Sequence, residues 1–516
     1  MRLNRFLALC LLGSLLLGGC ASVNAPRTAS QALPAANSSF GRSIAAQAAS
    51  QEGRSGFRLL PNSSEAFRAR AELIRNAKTS LDLQYYIVHD GLSTRALINE
   101  LLAAGDRGVR VRILLDDTTS DGLDDSIATL AAHPSIQIRL FNPLHLGRAT
   151  GTTRALGRLL NLSQQHRRMH NKLWLADDSA AIVGGRNLGD EYFDAEPNLN
   201  FTDIDMLSVG PIAKELGYSF DQYWNSALSR PINEFSRPAS ARTLRKTREK
   251  LTASLAEAQR QHQTLYNRLM SYQTQPHMDI WRNELIWAWG QALWDAPTKV
   301  LSRGEPDPHL LLTTQLAPEL QRVQQELMLI SAYFVPGQAG LQYLTGRADA
   351  GVAVSLLTNS LEATDVPAVH GGYAPYRVEL LEHGVKLYEL RRQPGDDGSA
   401  SYRFSGGSDS SLHSKAMIFD QHKVFIGSFN FDPRSVLWNT EVGVLVDSPE
   451  LAGHVRDLAL QGMSPALSYE AKLEQGKVVW VTEDNQHLHT LTHEPGDWWR
   501  RINAWVSEKI GLERML

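Results

Sequence analysis

The pattern His-x-Lys-x4-Asp occurs twice in this 516-residue chain, at His170, Lys172 and Asp177 and again at His413, Lys415 and Asp420. All three pairs are separated by 243 residues, and the same offset joins Gly184 to Gly427 and Asn187 to Asn430, so each copy carries a G-[GS]-x-N tail. A lone copy is a weak motif, but two in register with matching tails are strong. The chain is therefore an internal duplication that folds as two similar halves and delivers two histidines and two lysines to one site.

The repeat extends beyond the motifs. Arg107 to Leu115 pairs with Ala350 to Leu357, and apolar runs ending near tyrosine precede each, Leu81 to Ile87 and Leu327 to Val335. This reads as strand, helix, strand in both halves, hence an α/β chain of βαβ units with a largely parallel sheet. A 243-residue period makes lobes rather than solenoid units. The boundaries read as an N-terminal lobe over 56–230, a helical insertion over 231–305 with a polar helical run from Ala241 to Tyr272, a C-terminal lobe over 306–476 and a tail over 477–516.

The first nineteen residues have the form of an export signal: Arg2 and Arg5, the apolar stretch Leu7 to Leu17, then Leu17-Gly18-Gly19-Cys20. The tetrapeptide resembles a lipobox, which implies lipidation of Cys20, a lipid-anchored protein facing the periplasm and, because Ala21 follows the cysteine, the outer membrane rather than the inner. Residues 20–55 are rich in Ala, Ser and Asn and read as a flexible tether. Cys10 leaves with the signal, so the mature chain has no internal disulfide. Without Arg2 and Arg5 the 52 basic residues become 50 against 55 acidic, a balance of −5 that disfavours a nucleic-acid partner. The basic run Arg242 to Lys250 reads as the solvated face of a helix.

In a regular strand His170 and Lys172 share one face, as do His413 and Lys415, while Asp177 and Asp420 point to the other. Parity thus assigns the histidines and lysines to the site and the two aspartates to structure. Phosphodiester cleavage needs a nucleophile, a proton for the leaving oxygen and positive charge around the phosphoryl group. Histidine can supply the first two, and two lysines the third. Asn187 and Asn430 can add amide hydrogens. No metal or other cofactor is required, and the chain has no H-E-x-x-H, cysteine pair or spaced carboxylate cluster.

These paired motifs, with Gly427-Ser428-Phe429-Asn430 after the second, resemble those of the phospholipase D superfamily over nearly the whole mature chain. The resemblance implies two pseudo-twofold-related α-β-α lobes and a ping-pong reaction through a phosphohistidine. It nominates His170 as nucleophile and His413 as general acid and base, although the near-equivalent motifs leave these roles open. It also implies an acid orienting each histidine. Alignment on Pro211 and Pro449 matches Asp203 with Glu441, with Asp205 as competitor, and Ser428 joins the two asparagines as a phosphate ligand. The first tail departs from the family in having Gly185 where the second has Ser428.

Arg168-Met169-His170-Asn171-Lys172, Val183 to Asp190, Phe431-Asp432-Pro433-Arg434-Ser435 and Thr358-Asn359-Ser360 through His370-Gly371-Gly372-Tyr373 are similar to the bacterial cardiolipin synthases that use phosphatidylethanolamine as donor. The implied activity is phosphatidyl transfer, with phosphatidylglycerol as acceptor. A hydrolytic phospholipase D is the closest alternative, followed by a nuclease and a non-catalytic lipid-binding lipoprotein. In the tail, Trp498, Ile502, Trp505 and Val506 recur at helical spacing beside Arg500, Arg501 and Lys509. That suits either a helix in the headgroup region or one docked on the core. Burial is expected for Trp281, Trp287, Trp289 and Trp294. His487 and His489 read as an exposed strand rather than metal ligands, and His370 as a loop histidine open to an acceptor-site role.

Overall fold

The computed structural model describes residues 28–117, 124–144, 166–196, 199–392 and 409–510. The signal and Cys20 lie outside the described residues. The first half contributes strands β1 (Ser55–Leu60), β2 (Ser80–Tyr85), β3 (Arg110–Asp116), β4 (Ile136–Phe141), β5 (Leu173–Ala176), β6 (Ala180–Gly184), β7 (Leu199–Thr202), β8 (Asp205–Val209) and β9 (Ser229–Pro231). The second contributes β10 (Ile286–Trp294), β11 (Glu326–Ser331), β12 (Ala353–Asn359), β13 (Lys386–Leu390), β14 (Asp409–Leu412), β15 (Lys415–Phe419), β16 (Lys423–Gly427), β17 (Val442–Asp447) and β18 (Ser468–Glu474), followed by β19 (Lys477–Asp484) and β20 (His487–Leu491).

The first sheet runs β9-β4-β3-β2-β5-β6-β8-β1. The second repeats it strand for strand as β18-β13-β12-β11-β15-β16-β17-β10. Each sheet is mixed, but its parallel part is narrower than the βαβ reading expects. Two parallel pairings in each half stand against five antiparallel ones. The reason is local. Each motif strand turns back tightly through residues with positive φ, Asp177-Asp178 and Asp420-Gln421, and a connection that short can only make an antiparallel pair.

The helices that position the site are α1 (Ser39–Ala49), α2 (Leu92–Asp106), α3 (Pro211–Asn225), α4 (Ala241–Gln261), α5 (Gly337–Asp349), α6 (Pro367–Tyr373), α7 (Pro449–Gly462) and α8 (Trp498–Ile510). The crossovers α2 and α5 are repeat partners. Each is followed by a glycine in the left-handed region, Gly108 (φ 85°) and Gly351 (φ 89°), where a side chain would be strained. The aligned prolines Pro211 and Pro449 start α3 and α7, where a missing N–H costs nothing.

A shared strand and a shared core help join the halves. Strand β10 pairs Ile286–Ala288 with β1 and Trp289–Trp294 with β17, so both sheets hydrogen-bond to one strand. One apolar core also holds Leu173, Leu175, Val183 and Met206 of the first half with Ala416, Ile418, Val424 and Val444 of the second.

Two expectations change. Residues 28–55 are not a tether. Helix α1 packs Phe40 and Ile44, four residues apart, into the body, and its cap Ser38 donates its hydroxyl to Asp177. The 231–305 segment holds α4 and shorter helices, but it also contains β10, which belongs to the sheets. Of its tryptophans, Trp281 is buried, Trp287 and Trp294 are half-buried and Trp289 is exposed. His487 and His489 stand exposed on β20. Among the described residues no helix is long and apolar enough to cross a membrane.

Candidate active site

The site forms where each half lends backbone to the other. Strands β7 and β14 pair in parallel across the seam, and Met169 and Thr440 form the equivalent bridge on the other side of the pseudo-twofold. Accordingly the His170 amide donates to the Thr440 carbonyl (2.9 Å) and the His413 amide to the Thr202 carbonyl (2.8 Å). The residues that follow Thr202 and Thr440 are Asp203 and Glu441. Each motif histidine is thereby set beside the acid of the opposite half.

The side chains complete this crosswise arrangement. His170 Nδ1 lies 3.0 and 2.9 Å from the two Glu441 carboxylate oxygens, and His413 Nδ1 lies 2.7 Å from Asp203 Oδ2. With Nδ1 occupied, each ring keeps Nε2 for chemistry. Lys172 Nζ donates to the His170 carbonyl at 2.7 Å, and Lys415 Nζ to that of His413. All four side chains are buried. Lys415 also acts on the proton of His170 and Lys172 on that of His413, so the two motifs share one electrostatic site.

Both aspartates of the motifs hold backbone instead. Asp177 accepts from the Lys78, Thr79 and Ser80 amides (2.9, 2.8 and 2.9 Å), and Asp420 from those of Gln324, Gln325 and Glu326 (3.0, 2.7 and 3.0 Å). These amides lead into and begin β2 and β11, so each carboxylate splices its motif turn to the neighbouring strand. Asp205, the competitor for the orienting position, is engaged by Arg70 (2.9 Å) and Arg186 (3.3 Å).

Ser428 corrects its expected role as a phosphate ligand: its hydroxyl donates to Glu441 Oε2 at 2.5 Å. The physical reason is the reach of glutamate, which brings its carboxylate to Ser428 just past the end of β16. At the equivalent Gly185 a Cβ would overlap the Asp203 carboxylate. The glycine is what lets the shorter acid approach His413. Asn187 Oδ1 accepts the Ile87 amide (3.1 Å) and Asn430 Oδ1 that of Tyr333 (3.4 Å). Asn187 Nδ2 donates one hydrogen to the Tyr192 hydroxyl at 2.9 Å. Their oxygens thus fix the loops after β2 and β11, which leaves amide hydrogens of the two side chains to face an anion.

Aromatic rings that sequence reasoning missed wall the site. Tyr86 meets His170 edge-on at 5.1 Å between centroids, and Tyr192 and Phe201 meet His413 at 5.3 and 5.0 Å. Tyr86 closes the apolar run after β2 and was readable as its end. Tyr192 and Phe201 carried no local signal. Arg434 was also missed as a site cation: it acts on His170, and its Nε is buried with no hydrogen-bond partner among the described residues.

Burial dominates the electrostatics. It holds both imidazoles below the usual histidine range, His413 at about 4, with each ring's own motif lysine adding to the effect. It also lowers both lysines. Burial pushes Glu441 up to about 7 against the pull of Lys172 and Ser428. For Asp203 the same burial is outweighed by the hydrogen bond and charge of His413 and by Lys415, and its carboxyl stays below the usual range. An arriving phosphodiester anion would reverse the cost of charging the lysines, so substrate itself assembles the charged site.

Residues 71–224 and 316–461 match a family model described as "Cardiolipin synthase, PLD-like domain". The chain is 37% identical over 467 residues to cardiolipin synthase C of Escherichia coli K12, covering 90% of this chain and 97% of that one. It is 25% identical over 440 residues to cardiolipin synthase B of Salmonella typhimurium, covering 85% and 88%. The fold resembles the crystal structure of phosphatidylserine synthase from Haemophilus influenzae Rd KW20, with a TM-score of 0.55, 13% identity and coverage of 92% of this chain and all of that one.

Proposed function

The chain belongs to the phospholipase D-like cardiolipin synthase family, and from that premise we propose that this phosphatidyltransferase moves a phosphatidyl group from phosphatidylethanolamine to phosphatidylglycerol through a phosphohistidine. The observation that carries the reading is the crosswise pairing of His170 with Glu441 and His413 with Asp203. An ionised acid stabilises an imidazolium better than a neutral one. Asp203 is the acid held ionised, which suits His413, although burial holds it at about 4, to take up a proton as the phosphodiester anion arrives and then to release it. His170, beside an acid pushed up to about 7 and itself held well below the usual range, suits the neutral nucleophile.

In the first half-reaction His170 Nε2 attacks phosphorus, the bond to the headgroup oxygen breaks, and the His413 Nε2–H protonates that oxygen. In the second, His413, now neutral, takes the proton of the acceptor hydroxyl, whose oxygen attacks phosphorus as the P–N bond breaks. Lys172 and Lys415, with the remaining amide hydrogens of Asn187 and Asn430, face the charge on the phosphoryl oxygens. The lipobox-like Leu17 to Cys20 supports an exported, lipid-anchored enzyme facing the periplasm, and Ala21 after the cysteine supports the outer membrane over the inner.

Purified enzyme given phosphatidylethanolamine and phosphatidylglycerol should release ethanolamine and form cardiolipin, followed by mass spectrometry. Phosphatidic acid as the sole product would replace the transferase with a hydrolytic phospholipase D.

A further inference from the structure

Helix α8 inverts the usual arrangement of an amphipathic helix. At about 100° per residue, Trp498, Trp499, Ile502, Trp505 and Val506 occupy one continuous arc, and Ala504 and Ser507 the opposite side. The side packed on the protein is the one with small residues. Ala504 and Ser507 are buried, Ser507 donates to the Ala368 carbonyl of α6 at 2.9 Å, and a Cβ at Gly371 would overlap the Ala504 backbone. The tryptophans face outward, Trp498, Trp499 and Trp505 being 67, 58 and 58% exposed, with Ile502 at 42%. An isolated exposed apolar residue needs no explanation, but three tryptophans on one arc mark a contact surface.

The helix is held firmly in that pose. Arg377 bridges Glu389 (2.7 Å) and Glu494 (2.5 Å), and His370 Nε2 lies 2.6 Å from Glu494. His370, Glu389 and Glu494 have the spacing of a metal group, but the guanidinium already supplies the cation there. This buried network places His370 on α6 rather than in an open loop, and it fixes the segment from which α8 starts. The helix also abuts a segment that reaches the site. Arg500 donates to the Leu361 and Thr364 carbonyls (3.2 and 2.6 Å), and the next residue, Asp365, accepts the Tyr333 hydroxyl at 2.8 Å. Asp365 is in turn close enough to Lys415 to favour its charged form.

We propose that α8 is an interfacial anchor that seats the active-site mouth on a phospholipid bilayer containing anionic lipid. The proposal rests on the phosphatidyltransferase reading. Indole rings partition to the headgroup level of a bilayer, and Arg501 at the edge of the arc and Lys509 within it can reach lipid phosphates. A bilayer also fits the position of the arc, because the substrate must come from a membrane and the helix stands beside a segment that reaches the site.

The test compares the full chain with its W498S/W499S/W505S variant, whose changed side chains are exposed and outside the reaction site. Each is given a short-chain phosphatidylethanolamine as dispersed monomers and the same headgroup in phosphatidylethanolamine–phosphatidylglycerol vesicles. The variant should keep the monomer rate within about twofold and lose about tenfold or more on vesicles, one tenfold step being about 1.4 kcal/mol. Brominated lipid in the vesicles should quench tryptophan fluorescence in the parent and much less in the variant. Equal rates on vesicles, equal losses on both substrates or unchanged quenching would overturn the anchor. So would loss of a dimer in the variant by sedimentation, which would assign the arc to a second copy. A parent chain that turns over neither lipid form would instead reject the activity itself.

Discussion

The two halves of the site share a backbone plan and differ in its charge. His170 faces a glutamate braced by Ser428 and pushed up to about 7, whereas His413 faces an aspartate held low and pressed against Gly185. One methylene of acid length and one hydroxymethyl group separate them. A duplicated frame can keep its register while exchanges at two positions give each copy a different proton affinity, which a reaction needing one base and one nucleophile requires.

The sharpest break is at the histidines themselves. His170→Ala and His413→Ala should each abolish turnover, but a labelled phosphatidyl-enzyme should accumulate only in His413→Ala given a substrate with a good leaving group. Label trapped on His170→Ala would exchange the roles. Next come the acids. Asp203→Asn should lower kcat about 10³-fold and Glu441→Gln only about tenfold, because only the ionised acid stabilises an imidazolium. Equal losses in steady-state kinetics would erase the asymmetry. Gly185→Ala should displace Asp203 and cost about a hundredfold in kcat, while Ser428→Ala should cost a few-fold, about the worth of one hydrogen bond.

The comparison also reaches stability. Asp177 is fully buried and accepts from Ser38 and the Thr79 hydroxyl besides its three amides, whereas Asp420 is half-buried and holds amides alone. Asp177→Ala should therefore destabilise by about 3 kcal/mol and Asp420→Ala by about 1 kcal/mol in denaturant titrations. The smallest effect is on the pH dependence of melting. His413, at about 4 when folded, is protonated first in the unfolded chain, so its contribution is present above about 6.5 and is lost as pH falls toward 4. Glu441, pushed up to about 7, has the opposite sign, with its contribution present below about 4.5 and lost as pH rises toward 7. His413→Gln should flatten the rise of melting temperature with pH, and Glu441→Gln should steepen it.

The spacing of the motifs made much of this legible. The 243-residue offset fixed the duplication, strand parity separated His170 and Lys172 from Asp177, and the proline alignment singled out Asp203 and Glu441. Which acid serves which histidine was not legible, because it depends on β7 meeting β14 and Met169 meeting Thr440, contacts more than 200 residues apart with no local signature. Ser428 was misassigned because its partner is chosen by glutamate's length, a matter of side-chain reach. The supposed tether was misread because a composition rich in Ala and Ser hid Phe40 and Ile44, which with the Ser38 hydroxyl on Asp177 dock α1.

The strand Ile286–Trp294 has a consequence for how the enzyme can work. One end is stitched to the first sheet and the other to the second, and with β7 paired to β14 across the seam, hinging the lobes apart would break backbone hydrogen bonds. The gap between the imidazoles is consequently set once, when the chain folds. Headgroups must therefore come and go without the two halves parting.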